Sequence, residues 1–260
     1  MKQRVSNYFY GGIILIIFII MITITGFTYP FQFDLTPSTN TESMLFTERQ
    51  DESKGDSTEK VIYLTFDDGP SDYTEKIVDI LDEYNVPATF FFIGKNVVGR
   101  EEKVRYAAER DHRIGLHSMT HDRSIIYNEE EPDQFLNESL ELQTYLEPLI
   151  GYKTSIIRPP YGSSFIPESI FNRVGEAGFK LWDWSIDTND WREETTPDSI
   201  MTYLNDFPAG NREILLEHEL PITLDVLPRI IEFYKKQGYT FKAYDPNEHF
   251  SYNFHSNSNY

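Results

Sequence analysis

Two adjacent carboxylates and a pair of histidines are the side chains of this sequence best suited to chemistry. Asp67 and Asp68 follow directly on an apolar run, and the turn Gly69-Pro70 comes after them. His117 and His121 lie four residues apart, again directly after a short apolar stretch. Adjacent carboxylates repel each other, so placing both at one point calls for a nearby cation or a shared proton. Two histidines and one carboxylate would bind a zinc-type ion and leave a position open for water.

These residues also have structural interpretations. An Asp between a strand and a helix often caps the helix, and a helix is expected to begin near Tyr73. Two histidines four residues apart also occur by chance, and a lone histidine is usually a surface or satisfied core residue. Their position favours a site, because both groups follow predicted strands whose carboxyl ends should lie close together in a barrel.

Three more polar stretches follow predicted strands. Arg158 opens the turn Arg158-Pro159-Pro160-Tyr161-Gly162, in which the arginine would pair with an acid and the rigid turn would aim a backbone N–H at a developing oxyanion. Asp187 could hold a histidine in its charged form, and His218 is the histidine available at another strand end. The alternatives are that Pro-Pro and Tyr-Gly are ordinary turn signals and that loop acids are only solvated.

The elements that must position these residues alternate along the chain. Short β-branched and aromatic runs predict the strands, and helical periodicity with stop signals predicts the helices. The predicted strands are 61–66, 88–93, 114–116, 155–157, 180–186, 213–216 and 239–243. The predicted helices are 73–85, 101–110, 133–146, 167–177, 197–207 and 224–237. Such alternation predicts an α/β fold in which a parallel sheet rolls into a (β/α) barrel.

The composition bounds the class of protein. With 260 residues the chain has room for one domain of about 200 residues and appendages. The formal net charge of −19 argues against a nucleic-acid partner, because binding phosphates needs a basic patch. The chain has no cysteine, so disulfides and thiol nucleophiles are excluded, and any metal must be held by histidine and carboxylate.

The N-terminal part predicts export and attachment to a membrane. Residues 8–27 are nearly all apolar, and about 20 such residues cross a bilayer. Lys2 and Arg4 precede this run and acids follow it, which places the N-terminus in the cytoplasm and the rest outside. A cleaved signal peptide, which would make the protein secreted, is the alternative, but residues 25–30 make a poor cleavage site. We predict a stub and transmembrane anchor at 1–28, a disordered stalk at 29–59, a globular domain at 60–245 and a flexible tail at 246–260.

Five stretches taken together resemble the polysaccharide deacetylases, the NodB-homology or carbohydrate esterase family 4 group. They are Thr65-Phe66-Asp67-Asp68-Gly69-Pro70, His117-Ser118-Met119-Thr120-His121, Arg158-Pro159-Pro160-Tyr161-Gly162, Asp187-Thr188-Asn189-Asp190-Trp191 and Ile214-Leu215-Leu216-Glu217-His218-Glu219. The resemblance covers roughly residues 60–244, in the family's order and spacing, and implies a distorted (β/α) barrel.

The resemblance implies a role for each matched residue at the metal and the base. Asp68, His117 and His121 would bind a divalent metal, with zinc expected first and cobalt second. Asp67 would be the general base, and Arg158 would orient it.

The remaining roles concern the acid and the substrate. By the same resemblance His218 would be the general acid, tuned by Asp187, and Tyr161 would offer its backbone N–H to the oxyanion. Trp191 and Leu216 would line the pocket for the acetyl methyl group. The implied reaction is hydrolysis of the amide of N-acetylglucosamine units in a cell-wall polymer, chitin first and peptidoglycan second, with release of acetate.

The last stretch departs from the family pattern. Glu217 and Glu219 flank His218 where the family often has Leu-Leu-His-Asp, and their charge would raise the pKa of His218 unless Glu217 points away. This run resembles fungal chitin deacetylases somewhat more than bacterial peptidoglycan deacetylases. Two other functions remain open: a glycan-binding wall protein of the same fold with little activity, and a two-carboxylate glycosidase, for which adjacent acids are poorly placed.

Overall fold

Strands and helices alternate along residues 59–260, the part of the chain that the computed structural model describes. The strands are β1 (Lys60–Gly69), β2 (Ala88–Phe92), β3 (Arg113–Leu116), β4 (Ile156–Ile157), β5 (Lys180–Leu181), β6 (Ile186–Asp187), β7 (Arg212–His218) and β8 (Tyr239–Phe241). The helices are α1 (Thr74–Glu83), α2 (Gly94–Val97), α3 (Glu101–Ala108), α4 (Arg123–Ile126), α5 (Gln134–Ile150), α6 (Glu168–Glu176), α7 (Pro197–Asp206) and α8 (Pro221–Lys236). The predicted alternation is confirmed, with two additional one-turn helices, α2 and α4.

All strand pairs are parallel. The sheet has the order β5-β4-β3-β2-β1-β7-β6, and β8 pairs with the first residues of β1. β5 and β6 therefore lie at opposite ends of this order although only residues 182–185 separate them in the chain. A chain of that length spans at most about 17 Å, so the sheet must curve until its two ends approach each other. This curvature confirms the distorted barrel.

One predicted strand is wrong in its extent. The sequence predicts a continuous strand over 180–186, whereas the structure divides it into β5 and β6. The reason is that Trp182 and Asp183, which lie between β5 and β6, pair with the C-terminal segment. Trp182 forms a parallel bridge with Tyr252, and the Asp183 N–H donates to the Tyr252 carbonyl at 2.8 Å, so this stretch leaves β4 before it reaches β7.

The alternation of side chains along β1 separates two apolar layers. Ile62, Leu64 and Phe66 belong to the large core shared with the helices, and each is fully buried. Val61 and Tyr63 belong to a smaller cluster with residues of β2, β4 and β7. Because neighbouring side chains of a strand point to opposite faces, the smaller cluster fills the concave side of the sheet. Thr65 and Asp67 continue that inner row towards the strand end.

The predicted flexible tail at 246–260 makes ordered contacts in the structure. Besides the bridge at Tyr252, the Phe254 N–H donates to Asp183 Oδ2 at 2.8 Å and to Ser163 Oγ at 2.9 Å. His255 stacks on Phe171 with ring centroids 4.3 Å apart. The segment is rich in aromatic residues, and these bury apolar surface against the domain. These contacts place residues 252–255 against the domain.

Within residues 59–260 no helix combines the length and the apolar character needed to cross a membrane. The predicted anchor at 1–28 and almost all of the stalk at 29–59 lie outside the described residues.

Candidate active site

β1 ends in a β-bulge that brings two neighbouring carboxylates to one cavity. In a regular strand Asp67 and Asp68 would point to opposite faces. The register between β1 and β2 shifts between Asp67 and Gly69, and Asp68 adopts a left-handed conformation with φ of 70°. Both carboxylates consequently line a cavity of about 500 Å³. The other residues lining it are His117, His121, Tyr161, Phe165, Trp184, Asp187, Trp191, Leu216 and His218.

Asp68, His117 and His121 form a cluster that fits a metal ion. Asp68 Oδ1 lies 3.3 Å from Nε2 of His117 and 3.3 Å from Nε2 of His121. The three donor atoms all lie within 4.8 Å of one another. Asp68 Oδ1 is buried and has no hydrogen-bond partner, so a cation would supply the contact that this atom lacks. Two imidazoles and one carboxylate are the donor set of an open zinc-type site.

The two histidines are prepared for this role by their surroundings. His117 Nδ1 donates to the Arg158 carbonyl at 2.7 Å, because a carbonyl can only accept, and this leaves Nε2 free as a ligand atom. Burial lowers the pKa of His121, which favours the neutral ring that a metal requires. Asp68 keeps its charge: burial opposes ionisation, but the neighbouring His117 and His121 lower the pKa of Asp68 well below its usual range.

The loop that carries both histidines is held by a residue the sequence did not single out. Glu138 on α5 is buried, and its Oε2 accepts hydrogen bonds from the N–H groups of Met119 and Thr120, each at 3.0 Å. Its Oε1 accepts from Thr120 Oγ1 at 2.9 Å. Within the loop, the His121 N–H donates to Ser118 Oγ at 2.8 Å. A buried carboxylate therefore fixes the backbone between the two histidines.

Asp67 is oriented by Arg158, as the resemblance implies. Arg158 is fully buried, and its Nη1 donates to Asp67 Oδ1 at 2.9 Å and to Thr65 Oγ1 at 2.7 Å. Its Nε donates to the Trp182 carbonyl and its Nη2 to the Asp183 carbonyl, each at 3.0 Å. The arginine thus ties the end of β1 to the stretch between β5 and β6. Because all its contacts are made in the interior, Arg158 holds the carboxylate of Asp67 in one orientation.

His218 pairs with Asp190 and not with the predicted Asp187. His218 Nδ1 lies 2.8 Å from Asp190 Oδ1, and the His218 N–H donates to Asp190 Oδ2 at 2.6 Å. Thr223 Oγ1 donates to the same Oδ2 at 2.8 Å. Burial would lower the pKa of His218, but the hydrogen bond and the charge of Asp190 outweigh it and raise the pKa to about 9. The Asp187 carboxylate lines the cavity and accepts from the Asn189 N–H at 2.8 Å.

The predicted substrate residues lie around the same cavity. Trp191 is 54% exposed at its rim, whereas Leu216 is buried in its wall. Tyr161 has φ of 68°, and no hydrogen bond within residues 59–260 uses its backbone N–H. Its ring contacts His121, with centroids 4.7 Å apart, so the turn lies beside the metal-binding cluster. The aromatic walls Phe165 and Trp184 were missed by the sequence analysis, because neither follows a recognisable motif.

The two glutamates that flank His218 point away from the cavity. Glu217 faces the helix layer, is 1% exposed, and neither carboxyl oxygen has a hydrogen-bond partner. Burial, together with the charge of Asp190, raises the pKa of Glu217 well above its usual value. Glu219 accepts from the Ser71 N–H and the Thr74 hydroxyl, and burial raises its pKa to about 7. The raised pKa of His218 accordingly comes from Asp190 and the site carboxylates, not from these glutamates.

Comparison with known proteins agrees with this geometry. A family model described as polysaccharide deacetylase matches residues 54–182. A peptidoglycan-N-acetylglucosamine deacetylase of Bacillus cereus is 38% identical over 202 residues, which cover 75% of this chain and 73% of that protein. The crystal structure of the polysaccharide deacetylase Bc1974 from Bacillus cereus superposes with a TM-score of 0.73 at 36% identity, covering 78% of this chain and 100% of that one.

A further solved structure extends the likeness beyond one genus. The catalytic domain of a peptidoglycan N-acetylglucosamine deacetylase from Eubacterium rectale has a TM-score of 0.68 at 28% identity, covering 76% of this chain and 94% of that one. The motifs, the curved parallel sheet and the sequence identity all agree, and this chain belongs to the polysaccharide deacetylase family, the NodB-homology or carbohydrate esterase family 4 group.

Proposed function

We propose that this protein removes the N-acetyl group from N-acetylglucosamine units of peptidoglycan, releasing acetate and leaving a free amine. The observation that carries the proposal is the arrangement around one cavity. The cavity is lined by the cluster of Asp68, His117 and His121, by the carboxylate of Asp67 and by the protonated His218. Arg158 supports it by binding Asp67. A metal site, a base and an acid are the groups that amide hydrolysis requires.

A divalent metal held by Asp68, His117 and His121 would polarise the amide carbonyl and make water a better nucleophile near neutral pH. Asp67 accepts a proton from the attacking water, and its orientation is fixed by Arg158. His218 donates a proton to the leaving amine, for which its pKa of about 9 keeps it charged at neutral pH. Family membership supports metal dependence, and the choice of zinc over cobalt is part of this proposal.

Three further residues would bind the acetyl group. The unpaired backbone N–H of Tyr161 stabilises charge that develops on the carbonyl oxygen. Trp191 and Leu216 line the cavity and offer apolar surface to the methyl group. These roles come from the family resemblance and are supported by the positions of the residues.

Peptidoglycan replaces chitin as the first expected polymer. Two of the three relatives reported above are named peptidoglycan N-acetylglucosamine deacetylases, and one of these two is 38% identical over 202 residues. The weak resemblance of the Glu217-His218-Glu219 run to chitin deacetylases no longer favours chitin as the substrate, because both glutamates are buried away from the cavity.

The deciding experiment is acetate release by the purified full-length chain supplied with zinc or cobalt. Peptidoglycan and chitin oligosaccharides are offered in parallel, and the chelated protein is the control. Metal-dependent acetate from peptidoglycan, faster than from chitin oligosaccharides, is the expected result. Faster release from chitin would return chitin to first place. Stoichiometric metal binding without acetate from either polymer would favour a glycan-binding protein of little activity.

We further propose that the catalytic domain faces the cell wall from the outer side of the membrane, attached through residues 1–28. The charge distribution around the apolar run supports this orientation. Protease treatment of intact cells should remove an epitope tag at the C-terminus and spare one at the N-terminus. A C-terminal tag that survives until the cells are lysed would contradict the proposal.

A further inference from the structure

The last residues of the chain lie against the place where β5 and β6 diverge. The Tyr252 carbonyl accepts from the Asp183 N–H at 2.8 Å, and Trp182 pairs with Tyr252 in a parallel bridge. The family model ends at residue 182, so this segment lies outside the part of the chain that the model matches. The segment is thus an additional strand-like partner at the open side of the sheet.

Phe254 contacts two parts of the cavity wall. Its ring meets Trp184 edge to face, with centroids 5.1 Å apart, and Trp184 lines the cavity. Gly162, which follows Tyr161, adopts φ of 85°, and a Cβ placed there would lie 2.9 Å from the rings of both Phe254 and Trp184. The turn, the tryptophan and the terminal phenylalanine therefore pack against one another with no room for a further carbon atom.

The backbone of the segment is tied to the same turn. The Phe254 N–H donates to both Ser163 Oγ and Asp183 Oδ2, and the Ser163 N–H donates to Asp183 Oδ1 at 2.9 Å. His255 Nε2 lies 2.9 Å from the Ser163 carbonyl. Asp183 is fully buried, and its own carbonyl accepts from Arg158 Nη2 at 3.0 Å. One chain of hydrogen bonds therefore runs from the C-terminal segment to the arginine that orients Asp67.

We propose that residues 251–255 support the active site from behind the cavity wall, and that Phe254 is a positioning residue for the turn Tyr161-Gly162-Ser163 and for the Trp184 wall. This inference rests on the proposed function, because the turn carries the backbone N–H assigned to the oxyanion. A turn that is free to move would misplace that donor, and small misplacements of catalytic groups cost large factors in rate. Phe254 is 42% exposed, so its ring contributes little to the main core and acts locally.

The test compares Phe254→Ala with Phe254→Tyr and with Leu140→Ala in the full-length chain. Leu140 lies on α5 and is also 42% exposed, so it controls for loss of a half-exposed apolar side chain. We expect Phe254→Ala to lower kcat/KM for peptidoglycan about tenfold, mainly through kcat, with zinc affinity unchanged. Phe254→Tyr should stay within about twofold of wild type, since it keeps the ring contacts with Trp184 and Gly162.

Hydrogen exchange supplies a readout that does not depend on activity. Amides of residues 159–166 should exchange faster in Phe254→Ala than in wild type or Leu140→Ala. Unchanged exchange and unchanged kcat/KM in Phe254→Ala would overturn the inference, and so would a loss of zinc binding as large as the loss of activity. If the wild-type chain released no acetate, the proposed function would fail, and the exchange data alone would decide whether the segment positions the turn.

Discussion

The Asp190 carboxylate holds His218 at two points, the ring Nδ1 at 2.8 Å and the backbone N–H at 2.6 Å. A third contact, from Thr223 Oγ1, leaves the carboxylate no freedom to turn. This relationship fixes the tautomer of His218, so that the proton available for transfer sits on Nε2, on the ring edge away from Asp190.

Asp190→Asn should therefore move the pH dependence of the reaction. His218 must be protonated to act as an acid, so kcat/KM should fall as pH rises through the His218 pKa of about 9. Removing the negative charge of Asp190 removes the largest contribution that raises this pKa. The alkaline limb of the pH profile should consequently shift to lower pH by more than about 1 unit. Asp187→Asn is the matched control, and an equal or larger shift in that variant would show that Asp187 tunes His218 instead.

Asp67→Asn and Asp68→Asn are the same substitution at neighbouring positions, and the structure predicts that the first impairs catalysis and the second impairs metal binding. Asp67 contacts Arg158 and is the proposed base, so Asp67→Asn should lower kcat about 100-fold or more while zinc affinity stays near wild type. Asp68 lies 3.3 Å from both histidine nitrogens, so Asp68→Asn should weaken zinc binding more than about 100-fold. Competition with a chromogenic chelator measures the affinity. Equal loss of zinc in the two variants would contradict the division of roles.

Glu138→Gln should weaken metal binding although the residue is no metal ligand. A glutamine amide cannot offer two acceptor oxygens to the N–H groups of Met119 and Thr120 and to the Thr120 hydroxyl. The loop carrying His117 and His121 should become less ordered, and zinc affinity should fall about 10-fold to 100-fold. Glu141→Gln, an exposed residue on the same helix, is the control. Unchanged zinc affinity in Glu138→Gln would mean that the other contacts of the loop, such as those from the N–H groups of Gly94 and Lys95, are sufficient to hold it.

Glu217→Leu should stabilise the protein. Glu217 is buried without a hydrogen-bond partner, so its replacement by an apolar residue should raise the free energy of unfolding by about 1–3 kcal/mol. The folded-state pKa of Glu217 lies well above its usual value. The wild-type free energy of unfolding should therefore be unaffected by this group below pH 4.5, and should fall as the pH rises from there towards the folded-state pKa. The gain from Leu should accordingly be larger at pH 8 than at pH 5. Urea unfolding at both pH values measures it, and a destabilised variant would refute the prediction.

The sequence by itself determined the family, the candidate site residues and the order of the elements. Period-two and helical patterns located the strands, and polar residues directly after strands identified Asp67, Asp68, His117, His121, Arg158 and His218. These predictions depend on local spacing, because the carboxyl ends of parallel strands meet at one edge whatever the details of packing. The paired carboxylates and the histidine pair therefore indicated a metal site before any distance was known.

Only the tertiary structure decided which residues pair. Asp187 ends β6 and Asp190 lies three residues later in the loop that follows, and the path of that loop, not its composition, brings Asp190 to His218. Neighbouring side chains of a strand point to opposite faces, so Glu217 points into the helix layer although it is next to His218 in the sequence. Glu138 reaches the site from α5, Trp184 from the loop between β5 and β6, and Phe254 from the C-terminal segment. Contacts between residues so distant in sequence depend on how the layers pack, and local spacing carries no information about that packing.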